Sequence, residues 1–104
     1  MKKVLTIAAV LLAWAAVAWG AAATKAVSIK GMKYNPASIS IKAGDTVAWK
    51  NDDDRDHTVV ADDGSFKSEK IGSGESFSHT FSKAGKYAYS CSYHPRMKGT
   101  VVVE

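Results

Sequence analysis

Apolar and polar positions alternate along most of this chain, but its first part differs. Nearly every residue from Val4 to Trp19 is apolar, whereas short alternating runs separated by turn-forming residues follow after Thr24. Alternation with a period of two is typical of strands that have one buried face. The pattern predicts seven strands, at Ala26–Lys30, Ser38–Lys42, Thr46–Lys50, His57–Ala61, Ser76–Phe81, Lys86–Ser90 and Thr100–Glu104. With no helical periodicity after Thr24, we expect an all-β, antiparallel sandwich.

The inward positions of these strands carry most of the aromatic residues that follow the leader. We expect five of them to lie in the core or at its edge: Trp49, Phe77, Phe81, Tyr87 and Tyr89. His79 alternates with Phe77 and Phe81, so we interpret it as structural. The polar stretch 61–74 contains three glycines and is predicted to be a long loop with at most a short edge strand.

The apolar first segment has the features of an export signal. Lys2 and Lys3 precede the apolar run, and Ala21-Ala22-Ala23 offers a small-residue cleavage site. We therefore predict a secretory signal peptide at residues 1–23 and a folded domain at residues 24–104. An uncleaved anchor is the competing interpretation, because the 20 residues from Val4 to Ala23 could just span a bilayer. In either case the folded domain is expected outside the cytoplasm.

Composition narrows the function of this domain. Of the 14 basic side chains, Lys2 and Lys3 belong to the leader, while all 10 acidic side chains follow it. The remaining charges are nearly balanced and interspersed, unlike the clustered basic residues of a nucleic-acid-binding protein. A domain of about 80 residues has one small core, which argues against a multidomain enzyme with a deep pocket.

Cys91 is the only cysteine, so it cannot form an intramolecular disulfide. A free thiol is a liability in an oxidising compartment, unless it is buried or bound to a metal. The run from Cys91 to Met97 places a thiol, the imidazole of His94 and a thioether at three-residue intervals. His57, at the start of a predicted strand, is the natural second imidazole. One cysteine, two histidines and a methionine form the donor set of a copper electron-transfer site.

Other uses of these residues are less consistent with the sequence. Structural zinc sites prefer several cysteines or a compact Cys/His set, and a binuclear copper site requires a second cysteine. A Cys–His nucleophile requires a cleft and an oxyanion hole, neither of which the pattern suggests. We therefore predict one mononuclear copper site with the ligands His57, Cys91, His94 and Met97, and no enzymatic activity.

The segments MKYNP, AGDTVAWKN, HTVV, KAGKYAYSCSYHPRM and KGTVVVE, from Met32 to Glu104, resemble the cupredoxins, the type 1 blue copper proteins of the plastocyanin and azurin group. The short ligand loop, with Pro95 directly after His94, is similar to that of the amicyanin branch. The resemblance implies a monomeric periplasmic carrier with a Greek-key fold that cycles between Cu(II) and Cu(I). It also implies His57, Cys91 and His94 as equatorial ligands, Met97 as the axial one, and redox partners such as a dehydrogenase or a c-type cytochrome.

The surroundings of the site give further expectations. Asn51 and Thr58 should support the ligands; Thr58 occupies the position of an asparagine that joins the two ligand loops in many cupredoxins. The docking face is expected to consist of His94, Tyr93, Pro95, Met32 and Pro36. The acidic loop 52–56 is interpreted as a solvated turn, with the alternative that it docks a basic redox partner.

Three functions remain to be separated. The leading prediction is a mobile one-electron carrier. The alternative is an exported copper-binding protein for copper handling or delivery, although only Met32 and Met97 remain among residues 24–104 for a methionine-rich exposed site. An adhesion or interaction sandwich without metal would leave Cys91 unexplained.

Overall fold

The computed structural model describes residues 21–104, which form eight strands. Most of the predicted leader and its apolar run lie outside the described residues. The strands are β1 (Thr24–Ile29), β2 (Tyr34–Asn35), β3 (Ser38–Ile41), β4 (Thr46–Asn51), β5 (Val60–Ala61), β6 (Ser76–Thr80), β7 (Gly85–Ser90) and β8 (Lys98–Val103). Within residues 21–104, no helix is long and apolar enough to cross a membrane.

The strands form two four-stranded sheets, in the orders β2-β1-β4-β6 and β3-β8-β7-β5. The predicted all-β sandwich is confirmed, with two differences in detail. Two of the pairings, β1 with β4 and β3 with β8, are parallel rather than antiparallel. The chain also forms the short strand β2, which pairs with the end of β1. Parallel neighbours arise because the chain leaves the first sheet after β2 and returns to it as β4.

The alternation of apolar and polar residues along the strands explains which side chains form the core between the sheets. In β4, Val47 and Trp49 are buried, while Ala48 is half-buried and Lys50 exposed. Trp49 packs against Phe77 and Tyr89, with ring centroids 5.8 and 5.4 Å apart. The predicted aromatic core is therefore confirmed, since such pairs contribute through both buried area and ring geometry.

The stretch 61–74 is more ordered than a plain loop. Strand β5 covers only Val60–Ala61, and residues further along bridge back to Val60 and His57. Phe66 and Ile71 insert into the core, with Phe66 stacked 5.8 Å from Trp49. These two buried residues were missed because isolated apolar residues among glycines and charges have no periodicity.

The topology brings the chemically informative loops to one end of the sandwich. Strand β4 ends at Asn51, just before the loop that leads to His57. Strand β7 ends at Ser90, which pairs with both Val60 and Lys98. The loop 91–97 therefore begins and ends beside the segment that carries His57.

Candidate metal centre

The loop 91–97 joins β7 to β8 and is closed by its own backbone. Cys91 N donates to Met97 O at 3.2 Å, and Met97 N donates to His94 O at 2.9 Å. Cys91 and Met97 are buried, with 1% and 5% of their surfaces exposed, whereas His94 is half-buried. The loop thus directs both sulfur side chains inward and leaves one imidazole between the interior and the surface.

His57 approaches this loop from the neighbouring segment. Its backbone exchanges hydrogen bonds with Ile71, at 3.1 and 2.8 Å, and its side chain is fully buried. Nδ1 of His57 lies 3.8 Å from Cys91 Sγ, and the rings of His57 and His94 lie 5.3 Å apart between centroids. The structure therefore brings His57, Cys91 and His94 together, with Met97 at the base of the same loop.

Some of the predicted ligands lie next to one another in pairs: His57 lies beside Cys91, and His57 also lies beside His94. Across residues 21–104, no group of three or more His, Cys, Asp or Glu side chains has an arrangement that could hold a metal ion. Binding of an ion by the predicted set would therefore require side-chain movements that bring the donors to a common point.

Asp53 orients the ring of His57. Asp53 Oδ2 lies 3.0 Å from His57 Nε2, and its carboxylate also accepts hydrogen bonds from the backbone N–H groups of Gly31 and Met32. The hydrogen bonds from Met32 N–H and from His57 lower the pKa of Asp53 and keep it ionised. When Nε2 carries the ring proton and donates it to Asp53, Nδ1 keeps its lone pair and faces Cys91, as in carboxylate–histidine–metal arrangements.

The environment of Cys91 favours the thiolate. Burial raises the pKa of the Cys91 thiol, but hydrogen bonds with the Thr58 backbone N–H, the His57 ring and the loop N–H groups of Tyr93 and His94 outweigh it. The net pKa lies below the ordinary value. The thiolate is the form that binds metals, so a buried lone cysteine with a lowered pKa fits a soft metal ion such as copper.

Thr58 connects the two segments that carry the ligands. Thr58 Oγ1 accepts a hydrogen bond from Ser92 N at 2.8 Å and lies 2.8 Å from Ser92 Oγ. Its backbone N–H donates to Cys91 Sγ at 3.4 Å, and its carbonyl accepts from the buried Tyr34 hydroxyl at 2.6 Å. Thr58 therefore supports the Cys91 loop directly, as a joining residue at this position is expected to do.

Asn51 supports the site less directly. Its side-chain amide donates to the carbonyls of Arg55 and Ile71, and its Oδ1 accepts from Asp53 N at 2.9 Å. Asn51 thus shapes the loop that carries Asp53 and fixes Ile71, the backbone partner of His57.

Tyr93 and His94 form the exposed part of the site, which we call the aromatic ridge. Tyr93 is 51% exposed. Both residues of the ridge line two depressions, of which one is also lined by Asp54, Arg55 and Asp56. The other is lined by Met32, Lys33, Pro95, Arg96 and Met97.

The composition of this face differs from the sequence-based expectation. Met32, Tyr93, His94 and Pro95 do line it, but exposed Pro36 is not among the residues around either depression. Lys33 and Arg96 are present instead, so the face carries charge beside its apolar residues. The sequence could not show this because Lys33 and Arg96 are brought together only by the fold.

Three supporting residues were not identified from the sequence. Asp53 is one of four aspartates in a five-residue loop, and spacing alone does not show which of them faces His57. Ser92 and Tyr34 contact Thr58 through positions that only the folded loops define. His79 is structural in the described chain, because its ring packs 4.9 Å from Phe66 and 4.7 Å from Phe81.

Comparisons with known proteins agree with this fold. The model of the cupredoxin-like domain family matches residues 4–103. Amicyanin from Paracoccus versutus is 37% identical over 83 residues, covering 75% of this chain and 63% of the relative. Plastocyanin from Scenedesmus fuscus is 37% identical over 84 residues, covering 68% of this chain and 86% of the relative.

The solved structures include a copper(I) form of an amicyanin variant. It superposes on this chain with a TM-score of 0.73 and 37% identity, over 78% of this chain and 82% of the other. The match in three dimensions thus extends over most of the described residues.

Proposed function

Since this chain belongs to the cupredoxin-like domain family, we propose that it is an exported type 1 copper protein that carries single electrons between redox partners. The observation that carries the proposal is the buried, unpaired Cys91, whose thiol has a lowered pKa and lies 3.8 Å from Nδ1 of His57. A non-metal sandwich has no use for such a thiol, and its burial beside an imidazole suits a soft ion.

Four side chains have proposed ligand roles. The thiolate of Cys91, the imidazoles of His57 and His94 and the thioether of Met97 would together hold one copper ion, with the thioether as the weakest donor. A bound copper ion would supply the reversible one-electron couple between Cu(II) and Cu(I). Asp53 keeps the ring of His57 in place, and Thr58 keeps the Cys91 loop in place. Ligands fixed by two loops rearrange little, which suits electron transfer.

His94 is proposed as the point where electrons enter and leave. It is the half-buried member of the set, beside the exposed Tyr93, whereas Cys91, His57 and Met97 are buried. Contact of a partner with the aromatic ridge would bring its redox centre close to a ligand without exposing the thiolate. A small face of this kind suits brief encounters rather than a stable complex.

Export to the periplasm and the partners are further parts of the proposal. The predicted leader at residues 1–23 supports export, and similarity to amicyanins supports a redox protein partner, such as a dehydrogenase or a c-type cytochrome. The chain covers 63% of the length of the Paracoccus amicyanins.

A redox cycle separates electron transfer from copper delivery. The copper-loaded domain, residues 24–104, is reduced with ascorbate and reoxidised with ferricyanide, with a competing chelator present throughout. A carrier keeps its copper and recovers its colour after each cycle. Colourless copper that passes to the chelator would contradict the carrier function and support delivery, and a failure to bind copper would contradict both.

A further inference from the structure

Asp45, in the connection between β3 and β4, binds the start of the folded domain. The backbone N–H of Ala23 donates to Asp45 Oδ1 at 2.9 Å, and the N–H of Lys42 donates to Oδ2 at 3.0 Å. The carbonyl of Ala23 accepts a hydrogen bond from the N–H of Thr46 at 2.9 Å, beside the pairing of Thr46 with Thr24 in the sheet. Ala23 is therefore joined to the domain through both its N–H and its carbonyl.

The carboxylate of Asp45 is buried without a side-chain cation in contact. Its exposed fraction is 8%, and Asp45 is the only acidic residue in the described chain that is buried. The hydrogen bonds from the N–H groups of Ala23 and Lys42 lower its pKa, with smaller contributions from the charges of Lys25 and Lys42. The ion pairs found within residues 21–104 involve other carboxylates. Because an ionised carboxylate is costly to bury without a compensating charge, this site favours a positive group at the nitrogen of Ala23.

The sequence allows several cleavage sites at the end of the predicted leader. A secretory leader is cleaved after a segment with small residues at the first and third positions before the cleaved bond. Cleavage before Ala21, Ala23 or Thr24 meets this condition, whereas cleavage before Ala22 would place Trp19 at the third position. The sequence alone therefore leaves three possible first residues for the folded domain.

We infer that the leader is cleaved between Ala22 and Ala23, and that the α-amino group formed at Ala23 binds the carboxylate of Asp45. A membrane-bound signal peptidase would hydrolyse this peptide bond with one water molecule. The new carboxylate leaves with residues 1–22, and the new amine stays on Ala23 and takes a proton. The nitrogen that lies 2.9 Å from Asp45 Oδ1 then carries a positive charge. A hydrogen bond between two charged groups is about twice as strong as one between neutral groups.

The other two cleavage sites fit the structure less well. Cleavage before Thr24 removes Ala23, so Asp45 Oδ1 and the N–H of Thr46 both lose their partner. Cleavage before Ala21 leaves a neutral amide at Asp45. It also retains two alanines that take part in none of the hydrogen bonds found in the described part of the chain. The contacts of the fold thus select one of the three sites, one residue before the start that the sequence analysis predicts.

The inference rests on the proposed export of the chain, but not on copper. β1 pairs in parallel with β4 from Thr24 to Ile29, and the N–H of Asp52 donates to the carbonyl of Ile29 at 2.8 Å. The contact of Ala23 with Asp45 would hold the opposite end of β1. It involves none of the proposed copper ligands, so the inference can fail while copper binding is retained.

The first test determines the first residue of the exported protein. The full chain 1–104 is expressed in a bacterial host, and the product is purified from the periplasm for intact-mass measurement and N-terminal sequencing. We expect a chain that begins at Ala23. A chain that begins at Ala21 or Thr24, or that retains the leader, would overturn the inference, while copper titration of the same sample still tests the copper function. Recovery from the cytoplasm alone would contradict the proposed export and the inference together.

Two matched substitutions distinguish the neighbouring cleavage sites. Ala22→Leu places a bulky residue directly before the proposed site and should abolish the product that begins at Ala23. Ala21→Leu places the same residue at the second position, which is not restricted to small residues, so the product should still begin at Ala23. The reverse result, with Ala22→Leu processed normally and Ala21→Leu blocked, would show cleavage before Thr24.

The second test measures the pKa of the α-amino group of Ala23 through the NMR shift of its methyl carbon. An adjacent carboxylate should raise this pKa by about one unit above the ordinary value of about 7.7–8.0. Asp45→Asn should remove the upward shift of the pKa. Asp63→Asn removes the same charge from an exposed aspartate that binds the N–H of Ser65, and should leave the shift unchanged. An ordinary pKa in the original chain, or an equal shift in Asp45→Asn, would overturn the proposed contact.

Other charged groups line the same depression as Ala23 and Asp45, namely Lys25, Lys42 and Glu104. The two lysines would lower the pKa of the α-amino group, and the carboxylate of Glu104 would raise it. Glu104→Gln should retain most of the upward shift, because the nitrogen of Ala23 is bonded to Asp45. A shift that disappears in Glu104→Gln and persists in Asp45→Asn would assign the contact to the wrong carboxylate and overturn it.

Discussion

Asp53 connects three parts of the metal centre through one carboxylate. It binds His57 Nε2 and the backbone N–H groups of Gly31 and Met32, so the loop after β1 and the ring of a predicted ligand share one anchor. Metal affinity depends on such groups because they fix the orientation of the ligand ring before the ion arrives.

Replacing this carboxylate should weaken copper binding. Asp53→Ala removes the partner of His57 Nε2 and is expected to lower the affinity for copper(II) by about tenfold. The affinity is measured by competition with a chelator of known strength. Asp54→Ala removes the same charge from an exposed neighbour and is the control. Equal copper(II) affinities of Asp53→Ala and Asp54→Ala would mean that copper binding depends on the negative charge of the loop and not on the contact of Asp53 with His57.

Thr58 is a second residue that supports the metal centre, through its hydrogen bonds to the loop that carries Cys91. Thr58→Val keeps the shape of the side chain but removes Oγ1, which leaves the Ser92 N–H without its partner. We expect the free energy of unfolding of the copper-free protein to fall by about 1–2 kcal/mol, measured by urea denaturation.

Two variants test whether this loss comes from the connection between the loops. Thr58→Ser should retain most of the stability, because it keeps the hydroxyl. Thr46→Val removes an exposed hydroxyl that bonds to Thr80 in the neighbouring strand, and should cost much less. A loss in Thr46→Val as large as in Thr58→Val would contradict a special role for Thr58.

Some residues of the candidate site can be predicted from the sequence pattern, whereas others cannot. The spacing from Cys91 to Met97 proposes a ligand loop, because both sulfurs and an imidazole lie within one connection between strands. His57 is proposed from its place at the start of a strand. Nothing in the sequence distinguishes Asp53 from the neighbouring aspartates, because its role depends on the path of the folded loop around His57.

At the level of strands and loops, β7 and β8 determine where the ligand loop begins and ends. Their register pairs Ser90 with Lys98 and Tyr89 with Gly99. Alternating residues predicted both strands, but the parallel pairing of β3 with β8 depends on the crossing between sheets, which no local pattern encodes. Phe66 likewise reaches the core from a segment that lacks periodicity.

A substitution at Gly99 tests the register between β7 and β8. A Cβ built at Gly99 would overlap the ring and hydroxyl of Tyr89, which is buried against Trp49 and Tyr34. Gly99→Ala should therefore lower the free energy of unfolding by about 1–3 kcal/mol, as measured by urea denaturation. Lys98→Ala, an exposed position of the same strand, should have little effect. Unchanged stability of Gly99→Ala would show that Tyr89 packs elsewhere.

At the level of the whole molecule, stability should depend on pH through a group remote from the metal centre. Burial against Phe66 and Phe81 lowers the pKa of His79 from its ordinary value of 6.5, and Lys83 lines the same surface depression. The unfolded chain therefore binds a proton at a higher pH than the folded chain does. The free energy of unfolding should fall as the pH drops below 6.5.

His79→Phe isolates this contribution because it keeps an aromatic ring against Phe66 and Phe81. Urea denaturation of the copper-free protein on both sides of pH 6.5 should show a flatter pH dependence for the variant than for the original chain. The same slope in both proteins would mean that His79 is not desolvated in the folded state.

Titration of the domain with copper(II), followed by visible absorption, tests the proposed ligand set of this molecule. We expect an intense blue absorption that rises until one copper ion is bound per chain, and that is absent in Cys91→Ser because the thiolate is the source of the colour. Colourless binding of copper, or the same absorption in Cys91→Ser, would contradict the proposed ligand set.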